Sequence, residues 1–288
     1  MGGNGGIIGE YSTSGAALNP SLFSVPDYAS SIAVSGNDLF ILSYDSSTFT
    51  GTIGEYTTAG VAVNPSLISG IDSPEAIVVD GNNLYVTEIQ TIAKYTTAGA
   101  LVNASLVSGL DVPIDMAISG NDLFVADLAN GRIGEYATDG TVINASLISG
   151  LNRPWGLAIS GNNLFVANNG DGTVGEYTTA GVPVNPVLIS GLRADYLDGV
   201  AVSGNSLYVV NEYDGTIGEC AVDGSVVNAS LINTLTSEGQ NPFAIAIVPE
   251  PSPSVLLAVG ALLLLGLRRI PSSAASCHFC RSPRSSGH

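Results

Sequence analysis

Short apolar runs of four or five residues recur along the chain, each set off from the next by small polar and glycine-rich stretches. The clearest example is Leu164-Phe165-Val166-Ala167. Its counterparts are Leu39–Leu42, Leu84–Val86, Leu123–Ala126 and Leu207–Val210. Each is preceded by a second run in which a small residue sits among β-branched neighbours, as in Ile32-Ala33-Val34, Ala158-Ile159 and Ile245-Ala246-Ile247. A Ser-Gly-Asn corner joins the two runs, as at Ser119–Asn121, Ser160–Asn162 and Ser203–Asn205. Runs this short, rich in β-branched and aromatic residues and punctuated by Gly and Asn, predict strands joined by tight hairpins.

Two further strands complete each unit. One carries Ile-Gly-Glu-Tyr or a variant, with its last residue at 11, 56, 95, 136, 177 and 220. Eight residues later stands Asn19, Asn64, Asn103, Asn144, Asn185 or Asn228, inside a Val-x-Asn-x-Ser-Leu type strand. The inner spacing is constant while the repeat length varies from 39 to 45 residues. This describes rigid cores joined by adjustable loops. Four antiparallel strands per unit of this length form a propeller blade. The run from Pro154 to Tyr177 resembles the NHL-type propeller repeat, and the resemblance extends over about residues 7–248.

The expected architecture is an all-β, six-bladed propeller of four-stranded antiparallel blades over residues 1–248, with seven blades the alternative. Five units are complete. Phe243–Val248 supplies one more inner strand, and Ile7–Phe23 supplies a third and fourth strand. The closing blade therefore lacks its second strand. This points to a coding sequence that begins upstream of Met1, which would supply both that strand and a secretion signal.

After Val248 the pattern changes. Residues 249–254 are a proline-rich linker, because prolines cannot donate to a sheet ladder. Residues 255–267 are uninterrupted apolar or glycine residues and predict a short hydrophobic helix. Residues 268–288 form a basic, Ser-rich tail. Thirteen apolar residues fall short of the roughly 20 that span a bilayer unaided, but Arg268 and Arg269 supply the positive-inside signal. The order Val248-Pro249-Glu250-Pro251-Ser252, apolar run, Arg268-Arg269 resembles the PEP-CTERM sorting signal. That resemblance implies a transient inner-membrane anchor, processing by an exosortase-type enzyme, and a final location in the bacterial envelope or outside the cell. An extracellular polysaccharide or protein is the partner it implies.

Charge narrows the partners further. The 288-residue chain has 8 Lys and Arg against 25 Asp and Glu, a net −17. Up to Val248 the only basic residues are Lys94, Arg132, Arg153 and Arg193. Such a surface repels phosphate backbones and excludes nucleic acid as a partner. The three cysteines imply no disulfide framework, and Cys277-x-x-Cys280 lacks two further ligands for zinc.

In a propeller, the loops that lead into the inner strand and those between strands two and three share one face. Glu75, Asp115, Trp155 and Asp198 fall at the starts of inner strands, and Asp45, Glu88, Asp127, Asp171, Glu212 and Asp214 fall in the second set of loops. The first four are the candidate ligand or cation face. Carboxylates near an axis suit Ca²⁺, with no other cofactor implied and no catalytic residue assigned. The repeated Tyr56, Tyr136 and Tyr177 are expected to pack between blades. Two readings of function result. One is an exported, non-catalytic binding or structural module. The other is a cation-dependent hydrolase or lyase, similar to the gluconolactonase and streptogramin-lyase propellers. The repeats contain no histidine, since His278 and His288 lie in the tail, and this removes the usual general base.

Overall fold

A computed structural model describes residues 5–233, 240–248 and 261–268. The chain opens with β1 (Ile7–Ser12) and β2 (Ala17–Ser24). Blade one is β3 (Tyr28–Ser35), β4 (Asp38–Asp45), β5 (Thr50–Thr57) and β6 (Ala62–Asp72). Blade two is β7 (Ile77–Asp80), β8 (Asn83–Thr87), β9 (Thr91–Thr96) and β10 (Leu101–Ser108). Blade three is β11 (Pro113–Ser119), β12 (Asp122–Asp127), β13 (Arg132–Ala137) and β14 (Val142–Ser149). Blade four is β15 (Pro154–Ser160), β16 (Asn163–Asn168), β17 (Thr173–Thr178) and β18 (Pro183–Ile189). Blade five is β19 (Leu197–Ser203), β20 (Ser206–Asn211), β21 (Thr216–Ala221) and β22 (Val226–Ile232). The last two strands are β23 (Gln240–Val248) and β24 (Ala261–Arg268). Each blade is a four-stranded antiparallel sheet taken in chain order.

The expected count of six is corrected to five blades built from consecutive strands. The remaining sheet has the order β2-β1-β24-β23 and draws on both ends of the chain. Of the run 255–267 expected as a helix, residues 255–260 lie outside the described residues. Ala261–Arg268 is a strand, antiparallel to both β1 and β23, and no helix occurs among the described residues. The physical reason lies in the second-strand slot. In blade four, Leu164, Phe165, Val166 and Ala167 are all fully buried. A slot covered on both faces takes an unbroken apolar run without needing alternation. Nor does any helix among the described residues have the length and apolarity to cross a membrane. The sorting-motif residues Pro249, Glu250, Pro251 and Arg269, and the tail cysteines and histidines, lie outside the described residues.

Local chemistry explains the blade. Gly36, Gly120, Gly161 and Gly204 of the first hairpins hold φ between +57 and +61°, as a hairpin with glycine at its first central position requires. Asn103, Asn144 and Asn228 accept the backbone N–H of the serine two residues on, at 3.0–3.1 Å. They therefore form Asx turns. The fourth strand bulges at the same places, and its register against the third strand slips there.

Blades meet through two repeated contacts. The tyrosines fill the gaps: Tyr136 packs with Tyr85 and Ile92 of blade two, and Tyr177 with Ile114 and Phe124 of blade three. Tyr56 stacks on Phe23 at 4.4 Å between centroids. The glycine of each third-to-fourth-strand turn abuts a leucine of the preceding blade: Gly60 on Leu22, Gly99 on Leu67, Gly140 on Leu106, Gly181 on Leu147 and Gly224 on Leu188. A Cβ at any of these would stand 2.4–2.9 Å from that leucine. Gly15 completes the cycle against Leu231 of blade five. The inner strands β3, β7, β11, β15, β19 and β23 likewise touch in a closed ring around the axis.

Candidate functional site

Five of the six inner strands depart from regular pairing near their start, three of them at a proline. The register slips between Ala29 and Ser31, Pro113 and Asp115, Pro154 and Gly156, Leu197 and Gly199, and Pro242 and Ala244. The residue skipped by each bulge is Ser30, Ile114, Trp155, Asp198 or Phe243, and Glu75 is its counterpart in blade two, one residue before Ala76. A bulge frees one side chain from the ladder and re-aims it. This position differs in every blade while the strand around it repeats.

The bulged residues line one axial cavity. Its inner part, about 150 Å³, is bounded by Ser30, Glu75, Ile114, Asp115, Trp155, Asp198 and Phe243 together with neighbouring inner-strand residues. A wider mouth of about 450 Å³ adds Tyr28, Tyr44, Arg153, Asp195 and Glu212. Glu75, Asp115, Trp155 and Asp198, separated by up to 123 residues, therefore share one cavity wall.

Asp115 stands one register deeper than the others. Its Oδ1 accepts the Met116 N–H and its Oδ2 the Leu157 N–H of the neighbouring inner strand, both at 2.8 Å. It thus ties blade three to blade four as well as facing the cavity. Burial pushes its carboxyl up to about 7 against the opposing pull of those two N–H groups. Burial pushes Glu75 up to about 7 as well. Both keep some area open to the cavity while the crowded inner strands enclose them, so they lose much of their hydration without losing access. Asp198 is 8% exposed and Glu212 4%.

Other predicted face acids organise their own loops instead. Asp45 caps Ser47 and Thr48, and those hydrogen bonds hold its carboxyl below the usual range. Asp171 accepts from Asn152 at 2.6 Å and Asp214 from Asn211 at 2.8 Å. Asp127 is fully buried and paired with Arg132 at 2.7 Å. The loops that lead into the inner strands are also fixed by backbone strain, since Ser73, Val112 and Arg153 each precede a proline at φ +44 to +60°. Left-handed non-glycine residues persist only where their surroundings over-determine them. An Arg153–Asp195 ion pair links two of these loops.

Among the described residues no three Asp, Glu, His or Cys side chains converge closely enough to hold a metal ion. The axial carboxylates are therefore not a preformed calcium cage. Sequence reasoning missed Ser30, Phe243, Tyr28, Tyr44 and Arg153 as cavity residues. Ser30 and Phe243 were detectable by aligning the inner strands on Ala33, Ala158 and Ala246, which puts both in the Trp155 column.

Neither a family model nor a curated protein matches this chain. Solved structures do. A chain of a nidogen/laminin complex superposes with a TM-score of 0.64 at 15% identity, covering 79% of this chain and 93% of that one. The chain is a β-propeller. Virginiamycin B lyase from Staphylococcus aureus gives 0.59 at 14% identity, covering 91% and 99%. A gluconolactonase from Xanthomonas campestris gives 0.60 at 14% identity, covering 85% and 87%. One propeller architecture thus appears in a protein–protein complex, a lyase and a lactonase, so the fold alone does not select among functions.

Proposed function

We propose that this propeller is an exported, non-catalytic binding module whose ligand enters the axial cavity. The observation that carries this reading is the bulged position of the inner strands. It changes chemical type from blade to blade, as Ser30, Glu75, Ile114, Trp155, Asp198 and Phe243, and the next position adds Asp115 once among small residues, while the apolar positions that follow repeat. Packing residues repeat because every blade needs them, whereas a site needs each of its members once. The segment Val248–Arg269 supports export. On this reading an exosortase-type enzyme processes the chain near Pro249-Glu250-Pro251 after transient engagement of the inner membrane, and the propeller works in the envelope or extracellular matrix. Replacing Pro249, Glu250 and Pro251 together by alanine, expressed in a host with an exosortase, is expected to leave the full-length chain in the membrane fraction. Unchanged size and unchanged fraction overturn the sorting reading.

A second reading has one specific observation in its favour. Glu75 and Asp115 titrate near 7, where a carboxyl serves best as a general acid or base. Solved neighbours of the fold include a lyase and a gluconolactonase. Incubating the propeller with a sugar lactone and with a streptogramin B, with and without Ca²⁺, separates the two readings. No turnover above buffer is expected. Turnover that disappears in both Glu75→Gln and Asp115→Asn makes the protein an enzyme.

A further inference from the structure

The axial cavity has an unbalanced charge inventory. The four basic side chains before Val248 each have a partner of their own. Arg132 pairs with Asp127 and Arg153 with Asp195. Lys94 donates to the Thr138 carbonyl at 3.1 Å and lies over the Tyr85 ring. Arg193 lies 3.3 Å from the centre of the Tyr213 ring and also faces Tyr196. The cavity lining nonetheless carries Glu75, Asp115 and Asp198, with Glu212 at the mouth. Arg153, the one basic lining residue at the mouth, faces its own partner Asp195 across the loops.

The uncharged lining is aromatic. Trp155 and Phe243 stand on the inner strands, Phe243 meets Tyr28 edge-on at 5.3 Å, and Tyr44 joins them at the mouth. Aromatic faces attract cations, most strongly where water is excluded. A bare divalent ion would need several converging oxygens, which this wall does not bring together. An anion would meet a protein carrying net −17. A cavity of about 450 Å³ falls within the range for small-molecule sites.

We propose that the ligand of the axial cavity is an organic cation, an alkylammonium group that stacks on Trp155 and Phe243 and is neutralised by Glu75, Asp115 and Asp198. This rests on the binding-module reading above and gives it a ligand class. The bound cation meets the carboxyls of Glu75 and Asp115 in the cavity wall and draws them into their ionised forms. Binding therefore releases protons. The groups that share the cavity with these two carboxyls are Tyr44 from blade one, Asp198 from blade five, and Glu212, Arg153 and Asp195 from the loops. Burial brings Glu75 and Asp115 to about 7.

Trp155 is the chain's single tryptophan, so its fluorescence reports on the cavity directly. The full chain is titrated with choline, with choline's neutral carbon isostere, with maltose, and with butylammonium against Nα-acetyl-lysine amide. Saturable quenching by choline and butylammonium is expected, with dissociation constants at least tenfold below that of the neutral isostere. Affinity is expected to weaken on the order of tenfold from pH 8 to pH 6 for each carboxyl that must ionise. Glu75→Gln is expected to weaken choline binding at least fivefold with an unchanged unfolding midpoint at pH 4. Preference for butylammonium over the lysine amide identifies a free amine, and the reverse a lysine side chain. Equal binding of choline and its isostere, or quenching by maltose alone without pH dependence, overturns the cation inference and leaves the binding module intact. Lactone turnover with no quenching by any probe overturns both.

Discussion

Asp127→Ala is expected to destabilise the propeller by about 3–5 kcal/mol, the range for removing one partner of a buried ion pair. The Asp127 side chain is fully buried, and its Oδ2 receives both the Nε of Arg132 at 2.8 Å and its Nη2 at 2.7 Å. The same carboxylate accepts the Asp111 N–H and the Asn130 Nδ2, each at 2.9 Å. Alanine strands a half-buried guanidinium and two further donors at once. Blade four carries Asn168 at the equivalent position, so Asp127→Asn keeps the shape and an acceptor and is expected to cost about 1.5–3 kcal/mol, a hydrogen bond to a charged group. Urea denaturation at neutral pH measures both. A loss below about 1 kcal/mol for the alanine variant means that the loop reorganises around water and the pair does not hold it.

Stability is also expected to fall as pH rises from about 4 to about 7. Glu75 and Asp115 have folded-state values near 7, above their ordinary carboxylate values. The folded protein therefore holds protons that the unfolded chain has already released. Their stabilising contribution is complete below about pH 4 and is lost through pH 7. The slope is at most about 1.4 kcal/mol per pH unit for each group, and less here because both keep some contact with the cavity. Asp45, Asp139 and Asp223 are shifted the other way by hydrogen bonds to Ser47, Thr141 and Ser225. Their contribution is lost only as pH falls below the ordinary Asp range, so the two windows do not overlap. Combining Glu75→Gln with Asp115→Asn is expected to flatten the profile between pH 5 and 8. A wild-type melting temperature that is flat or rising across that window sinks the assignment.

The blade was legible because its determinants repeat. The Gly-Glu-Tyr strand, the asparagine eight residues on, and the Ser-Gly-Asn corner all answer local demands, namely a gap to fill, an Asx turn and a positive φ. Glu75, Asp115, Trp155 and Asp198 were legible as one group because the fold rule puts inner-strand starts around one axis. Their depth was not. A β-bulge has no sequence marker independent of pairing, so nothing in Pro113-Ile114-Asp115 shows that Asp115 lies one register below Trp155. The buried role of Asp127 was hidden for a related reason: an acid in a polar loop looks solvated until the loop folds over it. The run at Ala261–Arg268 was ambiguous in the sequence because an unbroken apolar stretch suits a helix and a buried strand equally.

The contact of Gly15 with Leu231 has a consequence for how the ring forms and opens. Every other glycine–leucine contact joins residues a few tens of positions apart, while this one encloses roughly two hundred residues of chain. The entropy lost on closing a loop grows with its length, so neighbouring blades gain one another cheaply and in any order, and the long-range joins, Gly15–Leu231 and the β1–β24 pairing, close last. The circle is symmetric in its contacts and asymmetric in its kinetics. Opening of the ring is therefore expected at these long-range joins, and faster amide exchange there than within blade three is the measurement that checks it.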